Sequence, residues 1–107
     1  MRYWYQIERL ERNGWDFDYT PVSKPSKVYD SVDDCRKAAR ARLIRDKVTA
    51  QSGHDGNYAM IYRGKSQFYE SLHLASPGKV LSDKFVEILP DGRKEVIYSG
   101  HGHYRGY

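Results

Sequence analysis

Two groups of side chains in this sequence have the types and spacing to do chemistry. The first is GHGHYRGY at residues 100–107, where His101, His103, Tyr104 and Arg105 alternate with glycine. A flexible backbone carrying cationic and stacking side chains supplies the phosphate and base contacts that nucleic-acid binding uses. Its plainer alternative is a loosely packed tail without a ligand. His101 and His103 are also metal-ligand types. Two imidazoles at i and i+2 with no third ligand nearby predict no metal site, unless His54 and Asp55 complete one in space. The second group is cationic: Arg36, Lys37, Arg40, Arg42, Arg45 and Lys47, six basic residues in the twelve at 36–47. Arginine dominates it, and a planar guanidinium makes the bidentate phosphate and carboxylate contacts that an ammonium cannot. A solvated helix face is the plain alternative here.

The cations sit on the one convincing helix pattern, SVDDCRKAARARLIRDKV over residues 31–48. Ser31 followed by Asp34 reads as a capping-box-like start, with a side-chain oxygen for the unpaired first-turn amides. Asp33 and Asp34 suit the positive end of the helix dipole, and Arg42, Arg45 and Lys47 suit the negative end. At about 100° per residue, Val32, Cys35, Ala39 and Leu43 gather on one core stripe. Arg36, Arg40 and Lys47 then line one flank, with Arg42 and Arg45 on the other.

Strand patterns surround this helix. Residues 2–12 alternate, with Tyr3, Tyr5 and Ile7 on one face and Trp4, Gln6, Glu8 and Leu10 on the other. A three-residue turn, Arg12, Asn13 and Gly14, sets Trp15, Phe17 and Tyr19 beside Glu11, Arg9 and Ile7, joining the second strand's aromatics to the Ile7 face. Residues 20–29 hold two prolines and no period, which predicts a crossing loop. Residues 57–63 read as a central strand and 67–74 as another, with Phe68, Leu72 and Leu74 on one face. Residues 75–83 read as a second loop around Pro77 and Gly78. Residues 84–100 form the clearest hairpin, turning at Pro90, Asp91 and Gly92 and pairing Glu87 with Glu95 and Val86 with Val96. The expected fold is α+β, one helix packed on an antiparallel sheet of five to six strands in the order β-β-α-β-β-β-β, as a single domain over residues 1–107 with a short C-terminal tail. One helix cannot cover a whole sheet face, so an exposed aromatic patch is expected.

Composition bounds the function. The chain has 107 residues, 39 % hydrophobic and 30 % charged, which fits one folded domain with a modest core. A net charge of +4 and a sequence pI near 9.2 favour an anionic partner, either nucleic acid or the acidic face of a nucleic-acid-handling protein, although solubility alone would account for a charge of that size. One cysteine excludes an internal disulfide and suits a reducing, cytoplasmic setting. The opening residues carry no secretory pattern, and no apolar run approaches the roughly 18 residues of a membrane span. No Gly-rich phosphate loop, CxxC, HExxH or Gly-x-Ser-x-Gly points to a cofactor or a known catalytic motif.

The function expected from these features is a small, non-enzymatic binding module acting stoichiometrically on its anionic partner. Such chains are common among accessory and mobile-element proteins, including phage inhibitors of host defence. The competing expectation comes from the ending KEVIYSGHGHYRGY, which is loosely similar to that of RelE and ParE toxins, where a last strand leads into a basic and aromatic terminus. That resemblance spans about fourteen residues. It implies a metal-independent ribonuclease using His101, His103, Arg105, Tyr107 and Arg63 as acid, base and cation. Those toxins place two helices in their first half, whereas this chain opens with a hairpin.

Overall fold

The computed structural model describes residues 2–14, 16–51, 53–88, 91 and 94–98. Strands β1 (Tyr3–Asn13) and β2 (Asp16–Pro21) are followed by helix α1 (Val32–Asp46). Strands β3 (Gly56–Arg63), β4 (Gln67–Ser76), β5 (Lys79–Ile88) and β6 (Lys94–Tyr98) come after it. All six strands form one sheet in the order β2-β1-β3-β4-β5-β6, with antiparallel neighbours throughout. The architecture is α+β, one helix across an antiparallel sheet. Because β1 runs antiparallel to both its neighbours, β2 and β3 are parallel, and α1 carries the chain over β1 from one to the other.

The helix starts and stops for local reasons. Ser31 is extended at φ −124°, and its Oγ accepts the Asp34 amide at 3.1 Å. At the other end Lys47 takes the left-handed conformation, φ 59°, and its amide donates to the Leu43 carbonyl at 3.1 Å. Cys35, Ala39 and Leu43 are buried, as the periodicity predicts, against Ile7, Ala59, Ile61, Leu72 and Leu74. Val32 is only partly covered.

The register of the first hairpin differs from the expected one. Asn13 pairs with Asp16, Leu10 with Tyr19 and Glu8 with Pro21, so Tyr19 and Phe17 share the Leu10 face rather than the Ile7 face. Gly14, at φ 67°, supplies the positive φ that two-residue hairpin loops require. The decisive factor is non-local. A second core lies on the sheet face away from α1, built from Leu10, Ala50, Tyr58 and Met60, with Tyr62 and Phe68 against it. The Tyr19 ring meets Tyr58 edge-on at 6.0 Å. Trp15 lies outside the described residues.

Residues 22–29 are less of a free crossing loop than their composition predicts. Their amides at Val22, Ser26 and Tyr29 donate to the carbonyls of Ile7, Tyr5 and Tyr3. The Ser26 and Ser23 hydroxyls accept the Tyr5 and Ile7 amides at 2.8 and 3.0 Å. Serine oxygens thus stand in for strand carbonyls and satisfy the β1 edge that β2 does not reach.

Residues 75–83 are not a loop. β4 and β5 form a hairpin in which Ser76 pairs with Lys79 across Pro77 and Gly78, with Gly78 at φ 75°. Two irregularities in that ladder disguise its period. A further one between β3 and β4 passes from Ile61–Glu70 pairing to Tyr62–Phe68 pairing, which moves Phe68 onto the second core and Tyr69 onto the first. The last hairpin pairs Glu87 with Glu95 and Val86 with Val96, as read from its turn residues. Pro90 and Gly92 of that turn lie outside the described residues.

The second core is closed after the helix by Ala50 and the residues beside it. Ala50 donates its amide to the Leu74 carbonyl at 2.8 Å, and the Tyr58 hydroxyl donates to the carbonyls of Gln51 and His54. Chain and sheet approach so closely that a Cβ on Gly56, at φ 149°, would overlap the Ala50 methyl. Gly56→Ala is therefore expected to lower the unfolding free energy by about 1–3 kcal/mol, read by urea titration. Neutrality would mean that Ala50 does not press on this strand.

Candidate functional site

The structure sorts the helix cations into two kinds. Arg36 is committed: Nε donates to Glu70 Oε1 at 2.7 Å and Nη1 to Asp33 Oδ1 at 3.0 Å, while Ser82 Oγ donates to Glu70 Oε2 at 2.9 Å. Partial burial pulls the Arg36 guanidinium down, but the Glu70 hydrogen bond and charge outweigh it, and its pKa ends above the ordinary value. Arg42 and Arg45 both donate to Asp46, at 2.7 and 3.2 Å. Partial burial pushes the Asp46 carboxyl up, yet those two hydrogen bonds hold it below the usual range. Stability from this contact is present above the unfolded carboxylate pKa and is lost as pH falls through the folded one.

Lys37, Arg40 and Lys47 form the other kind. They are exposed, and none makes an ion pair among the described residues. Lys37 lies on the outer side of α1 opposite Cys35, Ala39 and Leu43, Arg40 lies about 60° round toward one flank with Ile44 between them, and Lys47 is the C-cap just past the last helical residue. Ile44 is 38 % exposed. Of the expected contacts, Arg40 and Lys47 therefore stand free on this outer ridge, and Arg36 and Arg42 are held by carboxylates. His101, His103, Tyr104 and Arg105 lie outside the described residues. The ridge gains Lys37, whose place on it follows from helical period alone.

The sheet face away from the helix carries a second arrangement that strand patterns alone do not reveal. At the start of β1, Trp4 stacks on Tyr62 with centroids 4.5 Å apart and planes 21° off parallel, and Phe68 meets Tyr62 edge-on at 6.2 Å. The Trp4 indole donates to the Gly64 carbonyl at 2.8 Å, and the Gly64 amide donates to the Arg2 carbonyl at 2.9 Å. The Tyr62 hydroxyl donates to Glu8 Oε2 at 2.6 Å. Burial first, and then that carboxylate, push the Tyr62 phenol up, so it remains a donor across ordinary pH. Arg2 and Lys65 are exposed at this corner, and Lys24 is exposed beside Ser23, whose carbonyl accepts from Gln6 Nε2 at 3.1 Å.

Three other places have chemistry-bearing groups. His73 Nδ1 lies 2.8 Å from Asp83 Oδ2, where the β4–β5 irregularity turns Asp83 toward the second core. An Asp–His pair can serve as a general base when the imidazole reaches substrate. Here His73 is 0 % exposed beneath Tyr58, so the pair belongs to the sheet interior. Cys35 is also fully buried, and burial pushes its thiol up to about 12, which leaves it unreactive. An open cleft of about 470 Å³ at the helix C-terminus mixes Arg9 with Glu11 and Asp55 and shows no preference for one sign of charge. Among the described residues, no group of three or more His, Cys, Asp or Glu could hold a metal ion, and His54 with Asp55 gains no third ligand. No helix among them is long and apolar enough to cross a membrane. No family model, curated protein or solved structure matches the chain.

Proposed function

We propose that the chain is a stoichiometric binding module that holds nucleic acid by its phosphates through the outer ridge of α1. The observation that carries this reading is the division of the helix cations. Arg36 and Arg42 are neutralised within the fold, whereas Lys37, Arg40 and Lys47 project without acidic partners among the described residues. Ridge cations of this kind contact the backbone and carry no sequence readout, so binding should be general and salt-sensitive.

Three phosphate contacts predict a log-log slope of affinity against salt of about −2.7 on duplex. Lys37→Glu/Arg40→Glu should remove most of the affinity and leave a slope near −0.9. Absence of binding at low salt, or binding indifferent to the charge reversal, would overturn the assignment to this helix. An acidic face on a nucleic-acid-handling protein is the second reading, and the exposed Ile44 amid the cations favours it, since interfaces set an apolar centre inside a charged rim. Such a partner would show its salt dependence mainly in the association rate. The ribonuclease alternative rests on His101, His103, Arg105 and Tyr107, outside the described residues, and on Arg63 at the end of β3. Incubation with total RNA in EDTA separates it: cleavage abolished by His103→Ala would replace the binding module with an enzyme.

A further inference from the structure

We infer that the Trp4–Tyr62–Phe68 corner is a stacking site for an unpaired base of a single-stranded nucleic acid, with Arg2, Lys24 and Lys65 contacting the flanking phosphates. The corner lies on the sheet face away from α1, so it is a surface separate from the helix ridge and does not depend on it. Single-strand binding combines aromatic rings that accept any base with cations that follow the backbone. Both parts are present here. Trp4 and Tyr62 stack nearly parallel at 4.5 Å, an arrangement that a base can extend. Their orientation is set in advance: Gly64 holds the indole nitrogen, Glu8 holds the Tyr62 hydroxyl, and Phe68 supports the ring from β4. A platform that is already ordered pays little conformational entropy on binding.

The charge around the platform fits the same ligand. Arg2 shares the Trp4 face by strand alternation, and Gly64 ties the turn bearing Lys65 to Arg2. Lys24 flanks β1 on the opposite side from β3. Glu8 is 5 % exposed and bonded to Tyr62, and Asp30 is exposed just past the Tyr3–Tyr29 bridge, so against Arg2, Lys24 and Lys65 these two acids leave the corner with net positive charge. Phosphates are therefore favoured over a neutral aromatic ligand.

The experiment uses the fluorescence of Trp4. The chain has two tryptophans, so Trp15→Phe leaves Trp4 as the sole reporter in these 107 residues. Titration with short oligothymidylate and oligouridylate at low salt should quench Trp4 saturably, and equal quenching by both would place recognition in the base and phosphate rather than the sugar. Arg2→Glu/Lys65→Glu, two surface changes that leave the fold intact, should weaken binding by about 10-fold or more. Trp4→Ala, followed by anisotropy of labelled strand, should weaken it by about 5- to 100-fold. Lys37→Glu/Arg40→Glu should leave the Trp4 quenching unchanged while removing duplex binding, which keeps failure of the helix reading distinct from failure of this one. No quenching at low salt, quenching indifferent to the Arg2 and Lys65 reversal, or burial of Trp4 by self-association at rising protein concentration would each overturn the inference.

Discussion

Leu43→Ala is expected to lower the unfolding free energy by about 2–5 kcal/mol, and Leu43→Asp to abolish folding. Leu43 is 2 % exposed and sits where the last turn of α1 meets the sheet, among Ile7, Cys35, Ala39, Ala59, Ile61, Leu72 and Leu74. Its helix neighbours on that stripe are small, so Leu43 is the bulkiest side chain that α1 contributes to the cluster and the one whose volume nothing adjacent can replace. Truncation removes both the transfer free energy and the packing of the cavity walls. For a domain of this size the total stability is on the order of 5–15 kcal/mol, so the loss is a large fraction of it. A melting curve reads the change as about 4–8 °C per kcal/mol. An unchanged curve for Leu43→Ala would mean that the helix does not pack through this stripe.

That stripe is the part of the fold most directly written in the sequence, because helical period, capping and dipole charges are local properties. Ser31, Cys35, Ala39 and Leu43 occupy the roles that their spacing assigns, and Val32 on the same stripe is partly covered. The hairpin pairing Glu87 with Glu95 is legible for the same reason, since Pro90, Asp91 and Gly92 specify a loop length and the length specifies the register. The first hairpin resists such reading. A shift of one residue moves every side chain to the other face, and the choice between faces depends on Tyr58 and Met60, some forty to fifty residues away in sequence. Local alternation offered Ile7 as the partner of the second-strand aromatics because the second core, built across distant strands and closed by Ala50, has no local signature. The strand at Lys79–Ile88 is obscured differently: extra residues in the ladder, Asp83 among them, break period two at the positions where alternation would have identified it. The candidate surfaces follow the same division. Arg36, Arg40 and Lys47 are legible from spacing as cations on one flank of the helix, but that Arg36 is held by Glu70 depends on β4, and the Trp4–Tyr62 stack exists only once β1 and β3 are paired.

Arg36 is where charge counting and structure diverge, and its replacement has the second large expected effect. Glu70 has a side chain only 5 % exposed, and its carboxylate is satisfied by Arg36 Nε on one oxygen and Ser82 Oγ on the other. Removing Arg36 leaves that charge beneath the helix with a single neutral donor, and breaking a buried pair in this one-sided way costs about 3–5 kcal/mol. Arg36 is itself 36 % exposed and keeps Asp33, so the opposite change is milder. Glu70→Gln should cost about 1–2 kcal/mol, because the amide still accepts from Arg36 while the guanidinium retains water and a carboxylate. The expected order is thus Arg36→Ala well above Glu70→Gln, measured by denaturant unfolding, with the double variant Arg36→Leu/Glu70→Leu recovering much of the loss. The reverse order would show that the guanidinium rather than the carboxylate is the group in need of its partner. The same variant also separates stability from binding. Arg36 gives Nε to Glu70 and one Nη1 proton to Asp33, and its charge is answered by those carboxylates, so folded Arg36→Ala protein should keep the salt slope that Lys37, Arg40 and Lys47 set. A slope reduced by about one unit would return Arg36 to the phosphate-contacting surface and show that Glu70 releases it when nucleic acid binds.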